Sequence, residues 1–485
     1  MAQKGARVKK KALATFLWTM GANAMAETAP TATVELYVDR KTQQIFAQPG
    51  PGRERLGTFA RIEDKQAAAT VPQPAASPSP ADGRMPATTA DVARTGSPTP
   101  TAKTDNAKKW YDRISLRGYT QLRYNHELSG DAGLLRAPGD RFIGNNQGFG
   151  IRRARLVISG DLNDYVSLYL QPDFASTPSG SSTTHFGQLR DAYADIYFDR
   201  DKEWRVRAGQ SKIPYGWENL QSSQNRIAPD RADALNSGVR DERDIGLIFY
   251  YTPKPVAERF KYLVQSGLKG SGDYGVFGLG FYNGQGANRS EQNNSLHTVA
   301  HFTYPFKLAN GQYVEVGASA YTGRFKVGPP TSIAVDGQTF TPVDAAPANG
   351  SLDQRVAAHF IYYPQPFGLQ AEWTVGRGPE LDLAERRIRS RSLRGGYVQA
   401  MYKIDGSYGS LIPYVKWQTF RGASKFDTNA PRFLLDETEV GVEWRPSSAL
   451  EIAVAYANMR RSNLTAAPYT RVKGDLLRMQ LQVNY

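Results

Sequence analysis

From Leu477 to the carboxy terminus the apolar residues occupy every second position: Leu477, Met479, Leu481, Val483 and Tyr485. Arg478, Gln480, Gln482 and Asn484 fill the places between them. Successive side chains of a strand leave on opposite faces, so this segment reads as a strand with one apolar and one wet side. A half-buried strand of a soluble sandwich shows that pattern, and so does a tilted membrane-crossing strand of about ten residues. The rest of the chain has to separate the two.

Segments of the same kind recur near 114–125, 149–160, 165–174, 188–198, 204–211, 244–252, 275–282 and 296–304. They continue near 312–322, 354–363, 368–376, 395–403, 410–420, 435–445, 449–459 and 475–485. The count is sixteen, and an even number is what a single-chain bacterial barrel requires. Connections alternate in length: 126–148 against 161–164, 175–187 against 199–203, 323–353 against 364–367, and 460–474 after 446–448. Long loops at one end and tight turns at the other is how such barrels are built. Connection 253–274 breaks the alternation, and Val256 to Leu268 within it reads as a helix, because an odd strand count would put the two chain ends on opposite sides.

One face of these segments is apolar, with aromatics near its ends: Trp204, Val206, Ile245, Leu247, Phe249, Val440, Val442, Trp444, Leu450, Ile452, Val454 and Tyr456. The other carries Ser115, Gln121, Glu439, Glu443 and Glu451. A soluble sandwich would share an apolar interior, whereas an inward face this polar lines water. The terminal aromatic, Tyr485, is similar to the ends of outer-membrane barrels. The expected fold is therefore all-β, a 16-stranded antiparallel transmembrane β-barrel over residues 110–485.

Three segments precede it. Lys4, Arg7, Lys9, Lys10 and Lys11, an apolar run from Ala12 to Gly21, and the small-x-small site Ala24-Met25-Ala26 make residues 1–26 a signal peptide. Its removal takes five cations and leaves about +9 of the net charge of +14. Residues 27–65 hold a short β-hairpin, Val34 to Val38 and Gln44 to Ala47, marginal on its own in water. Residues 66–109, rich in Ala, Pro, Ser and Thr, read as a disordered linker. The chain has no cysteine, so an exported fold is held without disulfides and carries no thiolate chemistry. No run approaches 18 apolar residues, which excludes a helical membrane protein.

The polar face is rich in arginine. Arg117 and Arg123 share the face of Ser115 and Gln121, Arg153 and Arg155 share one face of the second segment, and Arg205 and Arg207 one face of the fifth. Guanidinium groups stay charged and offer forked donors matched to phosphate or carboxylate oxygens, so a row of them in a narrow lumen concentrates anions. The alternative is that they pair with inward acids such as Asp173, Asp191 and Asp195 and stiffen the wall.

The runs Arg152-Arg153-Ala154-Arg155-Leu156, Arg190-Asp191-Ala192-Tyr193, Gly209-Gln210-Ser211-Lys212-Ile213-Pro214-Tyr215-Gly216-Trp217-Glu218 and Arg243-Asp244-Ile245-Gly246, in this order and spacing, resemble the phosphate-selective porins O and P. The resemblance covers roughly 110–485 and is densest between 150 and 250. It implies a sixteen-stranded outer-membrane channel, a homotrimer, with the third long loop folded into the lumen.

That loop is 212–243, the candidate constriction, with cations at Lys212, Arg226, Arg231 and Arg240 and acids at Glu218, Asp230, Asp233, Asp241 and Glu242. Gly216, Glu218, Asn219, Ser222 and Ser223 form its leading part. In phosphate-selective members the resemblance implies a lysine after the loop glutamate. Here Asn219 stands there, which puts phosphate specificity in doubt and leaves general anion passage in place. Loop 377–394, with Arg377, Arg386, Arg387, Arg389, Arg391 and Arg394, is expected outside the cell, where it either funnels anions or binds lipopolysaccharide phosphates.

Catalysis finds little support. His297 and His301 share a face, but no serine motif or ligand-spaced acidic cluster stands beside them, and His126, His185 and His359 are scattered. No catalytic residue, metal or cofactor is expected. Export and the spread of arginines over strands disfavour nucleic acid. The expected partners are small anionic solutes, outer-membrane lipid and lipopolysaccharide, and further copies of the chain. A plugged barrel that tethers envelope components is the rival reading.

Overall fold

The computed structural model describes residues 33–39, 45–46, 48–51, 53–60, 109–130, 148–176, 185–335, 337–463 and 470–485. The expected signal peptide, and the linker up to residue 108, lie outside the described residues. The chain divides into two compact units, residues 1–101 and 102–485.

In the first unit the expected hairpin is a three-stranded sheet ordered Ile45–Phe46, Thr33–Asp39, Arg53–Ala60. The third strand pairs along the whole of Thr33–Asp39. It opens on Arg53-Glu54-Arg55 and contains Gly57, so it lacks the apolar alternation by which strands are recognised.

The second unit is a closed antiparallel barrel of sixteen long strands. The first eight are β1 (Ile114–Ser129), β2 (Gly148–Asn163), β3 (Val166–Ser176), β4 (Phe186–Tyr197), β5 (Trp204–Lys212), β6 (Arg243–Tyr251), β7 (Phe277–Tyr282) and β8 (His297–Lys307). The second eight are β9 (Tyr313–Phe325), β10 (Ser351–Tyr362), β11 (Phe367–Asp382), β12 (Arg387–Tyr402), β13 (Gly409–Ala423), β14 (Arg432–Ser447), β15 (Leu450–Asn463) and β16 (Thr470–Asn484). Every alternating segment read from the sequence lies on one of them. β16 pairs with β1, Gln482 opposite Gln121 and Gln480 opposite Arg123, and closes the ring. Short helices α1 (Trp217–Leu220) and α2 (Asp233–Asn236) lie in the connection from β5 to β6, and α3 (Lys254–Gln265) follows β6. Val256, Phe260 and Leu263 make the buried stripe of α3, at the spacing of one helix face.

One expected loop is largely strand. β11 and β12 run through 377–394 and turn only at 383–386, with Glu380 opposite Arg389. Frequent arginines hide strand character there because Arg387, Arg389 and Arg391 fill alternate positions where apolar residues would mark a strand.

The walls are polar inside and apolar outside. Gln121, Glu439, Glu443, Glu451 and Gln482 are buried on the inner face, while Leu247, Phe249, Leu279, Val440, Tyr456 and Val483 stand exposed on the outer one. Trp204, Phe277, Phe306, Phe367, Tyr402 and Trp444 ring the outer wall at the short-turn end. This is the reverse of a protein folded in water. A closed ring satisfies every backbone group internally, so its apolar exterior suits hydrocarbon, with aromatics at the interface.

Candidate functional site

The connection 213–242 folds into the barrel and crosses it. At one end Ser223 Oγ meets the Tyr119 hydroxyl of β1 at 2.6 Å. At the other the Gly216 N–H donates to Ser319 Oγ of β9 at 3.1 Å. β1 and β9 are eight places apart in a ring of sixteen, hence diametrically opposite. Between these anchors Ile213, Tyr215, Ala232, Ala234, Leu235 and Val239 pack against Ile248, Tyr282, Val299, Tyr321, Tyr397 and Phe420 of the wall. The apolar residues of the loop thus make a core inside the lumen.

Polar anchors fix the crossing. Glu372 of β11 accepts the N–H groups of Trp217 at 2.6 Å and Glu218 at 3.0 Å. Glu218 reaches Lys416 of β13 at 2.5 Å and also accepts the Ala232 N–H at 2.7 Å. Gly216 has φ +80°, open to glycine and strained for other residues. Asn219 is buried and donates to the Tyr215 and Leu235 carbonyls at 3.1 and 3.0 Å, so its amide braces the loop from within. Ser222 accepts the Gln224 N–H at 3.3 Å. Gln224 in turn donates to Asn484, and Gln482 donates to the Gln224 carbonyl, at 2.9 and 3.2 Å.

The loop cations are also engaged. Lys212 donates to the Leu220 and Gln221 carbonyls at 2.7 and 3.0 Å. Arg231 binds Glu242 at 3.0 Å and the Gln221 carbonyl at 2.8 Å. Arg226 donates to the Ala228 and Pro229 carbonyls at 2.9 and 2.6 Å.

The wall arginines divide into paired and unpaired. Arg123 pairs with Asp230 at 2.8 Å, Arg155 with Asp173 at 2.7 Å, Arg207 with Asp195 at 2.8 Å and Arg205 with Asp273 at 3.1 Å. Arg243 holds Asp191 at 2.9 Å. These carboxylates include all three that the sequence offered as stiffening partners. Arg117, at the short-turn end, is exposed and donates to Ser159 at 2.8 Å. Arg153 donates to Gln121 at 2.7 Å. Neither Arg153 nor Arg226 has a carboxylate in ion-pair contact among the described residues. Burial and then Arg231 push the Arg226 guanidinium down to about 10, against the opposing pull of Asp230 and Glu218.

Asp230 and Glu242 gather the cations of the loop. Asp230 contacts Arg123, Arg478 and, at 3.9 Å, Arg152. Burial pushes its carboxyl up, but Arg123, Arg478 and Arg152 outweigh that and hold it well below the usual range. Burial raises Glu242 too, and Arg231, Arg243 and Arg190 hold it well below. Arg152 itself escapes strict alternation. Arg153 pairs with Gln121 and Ile151 with Leu122, so Arg152 is the extra residue of a β-bulge, which re-aims its side chain towards Asp230.

A second element enters from the opposite rim. After α3 the chain turns inward, burying Leu268, Lys269 and Ser271. Lys269 pairs with Glu443 of β14 and, at 3.6 Å, Glu451 of β15. The alternation of strands marks α3, but only the buried lysine between two lumen acids marks this inward turn, and sequence spacing does not bring those three together.

A closed barrel with an apolar exterior, a polar interior and a loop folded across the lumen defines an outer-membrane channel of the porin kind. The model of the family phosphate-selective porin O and P matches residues 122–485, and the chain belongs to that family. It is a β-barrel protein of the bacterial outer membrane. No curated protein matches the chain. Solved structures similar to it include the outer-membrane channel DcaP of Acinetobacter baumannii, with 13% identity, 77% of this chain and 97% of that chain covered, and a TM-score of 0.46. OmpT of Vibrio cholerae in its trimer form has 10% identity, 77% and 99% coverage, and a TM-score of 0.44. The anion-selective porin from Comamonas acidovorans has 11% identity, 77% and 99% coverage, and a TM-score of 0.42.

Proposed function

We propose that the channel passes small hydrophilic solutes by passive diffusion with a preference for anions such as phosphate or small organic acids. The observation that carries this is the pair Arg153 and Arg226, inward cations without a carboxylate in ion-pair contact among the described residues, beside Arg123, Arg155, Arg205, Arg207 and Arg243, each of which is paired. An anion entering beside them meets guanidinium groups that no ion pair occupies, while a cation is repelled by them. Loop 213–242 sets the width of the path. Lys416, brought to the loop glutamate from β13, stands beside Glu218 where the family resemblance implies a lysine at position 219. The channel works as a homotrimer, as the family resemblance implies.

Single-channel conductance with the reversal potential in a salt gradient tests this. Anion-selective steps reduced by added phosphate support a phosphate-preferring channel, and anion-selective steps indifferent to phosphate support a general anion channel. Cation selectivity would sink the arginine reading. A plugged barrel is favoured by one contact: Gln221 of the loop donates to the Lys269 carbonyl at 2.6 Å, so elements from both rims meet inside. Absence of conductance steps would establish that reading.

A further inference from the structure

On the outer wall, at the end where the long loops lie, Arg394 of β12 and Arg421 of β13 are direct cross-strand partners. Both are exposed, and so is Arg377 of β11, one diagonal step from Arg394. None of the three makes a hydrogen bond or an ion pair among the described residues. Like charges directly opposite on a sheet repel at a Cβ separation of about 5 Å, so the fold maintains a cost here that no ion pair among the described residues offsets. The arginines stand two outward steps beyond Trp373, Val398 and Trp417 on the same strands, which belong to the exposed apolar wall. Two steps are roughly 13 Å along a strand. The cations therefore sit just past the hydrocarbon zone, at the level of lipid headgroups.

A cleft of about 270 Å³ adjoins them, lined by Arg377, Arg389, Ser390, Arg391, Ser392 and Arg432. Its deeper arginines are pre-oriented: Asp382 holds Arg389 at 2.6 Å and Arg391 at 3.0 Å, and Glu380 holds Arg432 at 2.8 Å. Three of its arginines thus hold the carboxylates of Asp382, Glu380 and, at 2.7 Å from Arg389, Glu385, while Arg377 at its edge keeps its forked donors unpaired among the described residues.

We propose that Arg377, Arg394 and Arg421, with the adjoining cleft, form a binding site for the phosphate groups of lipopolysaccharide in the outer leaflet. Membrane apolar contacts hold the acyl chains against Trp373 and Trp417, and the phosphates bridge the opposed guanidinium groups. The inference rests on the outer-membrane location and not on the anion preference of the lumen, because the three side chains lie on the outside of the wall.

The test uses the full chain folded in lipopolysaccharide-free detergent and titrated with lipopolysaccharide, its dephosphorylated form, or inorganic phosphate. Wild type should bind intact lipopolysaccharide more than about tenfold more tightly than the variant Arg377→Ala/Arg394→Ala/Arg421→Ala. Dephosphorylation should cost wild type a similar factor, inorganic phosphate should not displace the lipid, and single-channel conductance of the variant should be unchanged. Arg421→Glu, which supplies an internal partner for Arg394, should lose binding as well and guards against a triple variant that fails to fold. Equal lipid binding by wild type and variants would overturn the proposal. So would indifference to dephosphorylation, or displacement by inorganic phosphate alone, which would make the site one for free anions.

Discussion

The side-chain amide of Gln221 donates to the backbone carbonyl of Lys269 at 2.6 Å, and both groups are buried. Gln221 belongs to the loop that folds in from the long-loop rim, and Lys269 to the connection that folds in from the other. Two crossbars therefore touch within the lumen. Gln221→Ala removes the bond and leaves a buried carbonyl unmet, a loss of about 1–3 kcal/mol at that contact. The expected outcome is larger or noisier single-channel steps with the thermal unfolding of the barrel little changed.

The ion pair of Glu218 and Lys416 gives a second expectation. Both groups are buried, and removal of one partner from such a pair costs about 3–5 kcal/mol. Lys416→Met should loosen the loop, raise conductance and weaken selectivity. Adding Glu218→Gln to it should restore much of the wild-type behaviour, and a double-mutant cycle measures the coupling. Strict additivity would show that the pair does not fix the loop.

Acid should act late. The folded-state values of Asp230 and Glu242 are depressed, so their contribution is present above the unfolded values of roughly 4 and is lost only as pH falls through the lower folded values. Conductance should stay flat from about pH 7 to about pH 4 and change only below that. A transition near pH 6 would show that other groups control the loop.

Arg153→Ala should lower the anion-to-cation permeability ratio, by about 2-fold or more if the Coulomb attraction acts at an effective dielectric near 20. Arg155→Ala should instead destabilise, because it leaves Asp173 without its guanidinium partner. Reversal potentials and thermal melts on the two variants separate these roles. Equal effects on both measurements would mean that unpaired and paired arginines do the same thing.

Gly216→Ala places a side chain at φ +80° beside Glu372 and Asn219, each 3.3 Å from the new carbon. The strain is about 1–3 kcal/mol, and the loop should detach from Ser319 more readily. Faster proteolysis within 213–242 is the measurement.

The barrel was legible because lipid on one side and polar groups on the other impose a period of two on every strand. Leu477 to Tyr485 and Val440 to Trp444 show it without interruption. The helix after β6 was legible because a seventeenth strand there would have put the two ends of the barrel on opposite sides. Features that depend on distance were not. Nothing in the order of residues shows that Arg155 meets Asp173 while Arg153 meets only an amide. Strict alternation sends Arg152 outward, and the bulge that turns it inward has no glycine or proline to announce it. Asn219 looked like a lumen residue replacing a charge, yet its amide is spent on two carbonyls of its own loop. Lys416 and Lys269 each lie far along the chain from the acids they meet.

The loop anchor at Ser223 and Gln224 also spans the seam of the ring. Gln121 of β1 donates both to the Ser223 carbonyl and to Gln482 of β16, a residue 361 positions away in sequence. Gln482 returns a bond to the Gln224 carbonyl. The first and last strands must therefore be side by side before this end of the loop has its full set of partners. Closing the ring and seating this end of the loop are therefore one event, and the waist of the pore is tied to the seam of its wall.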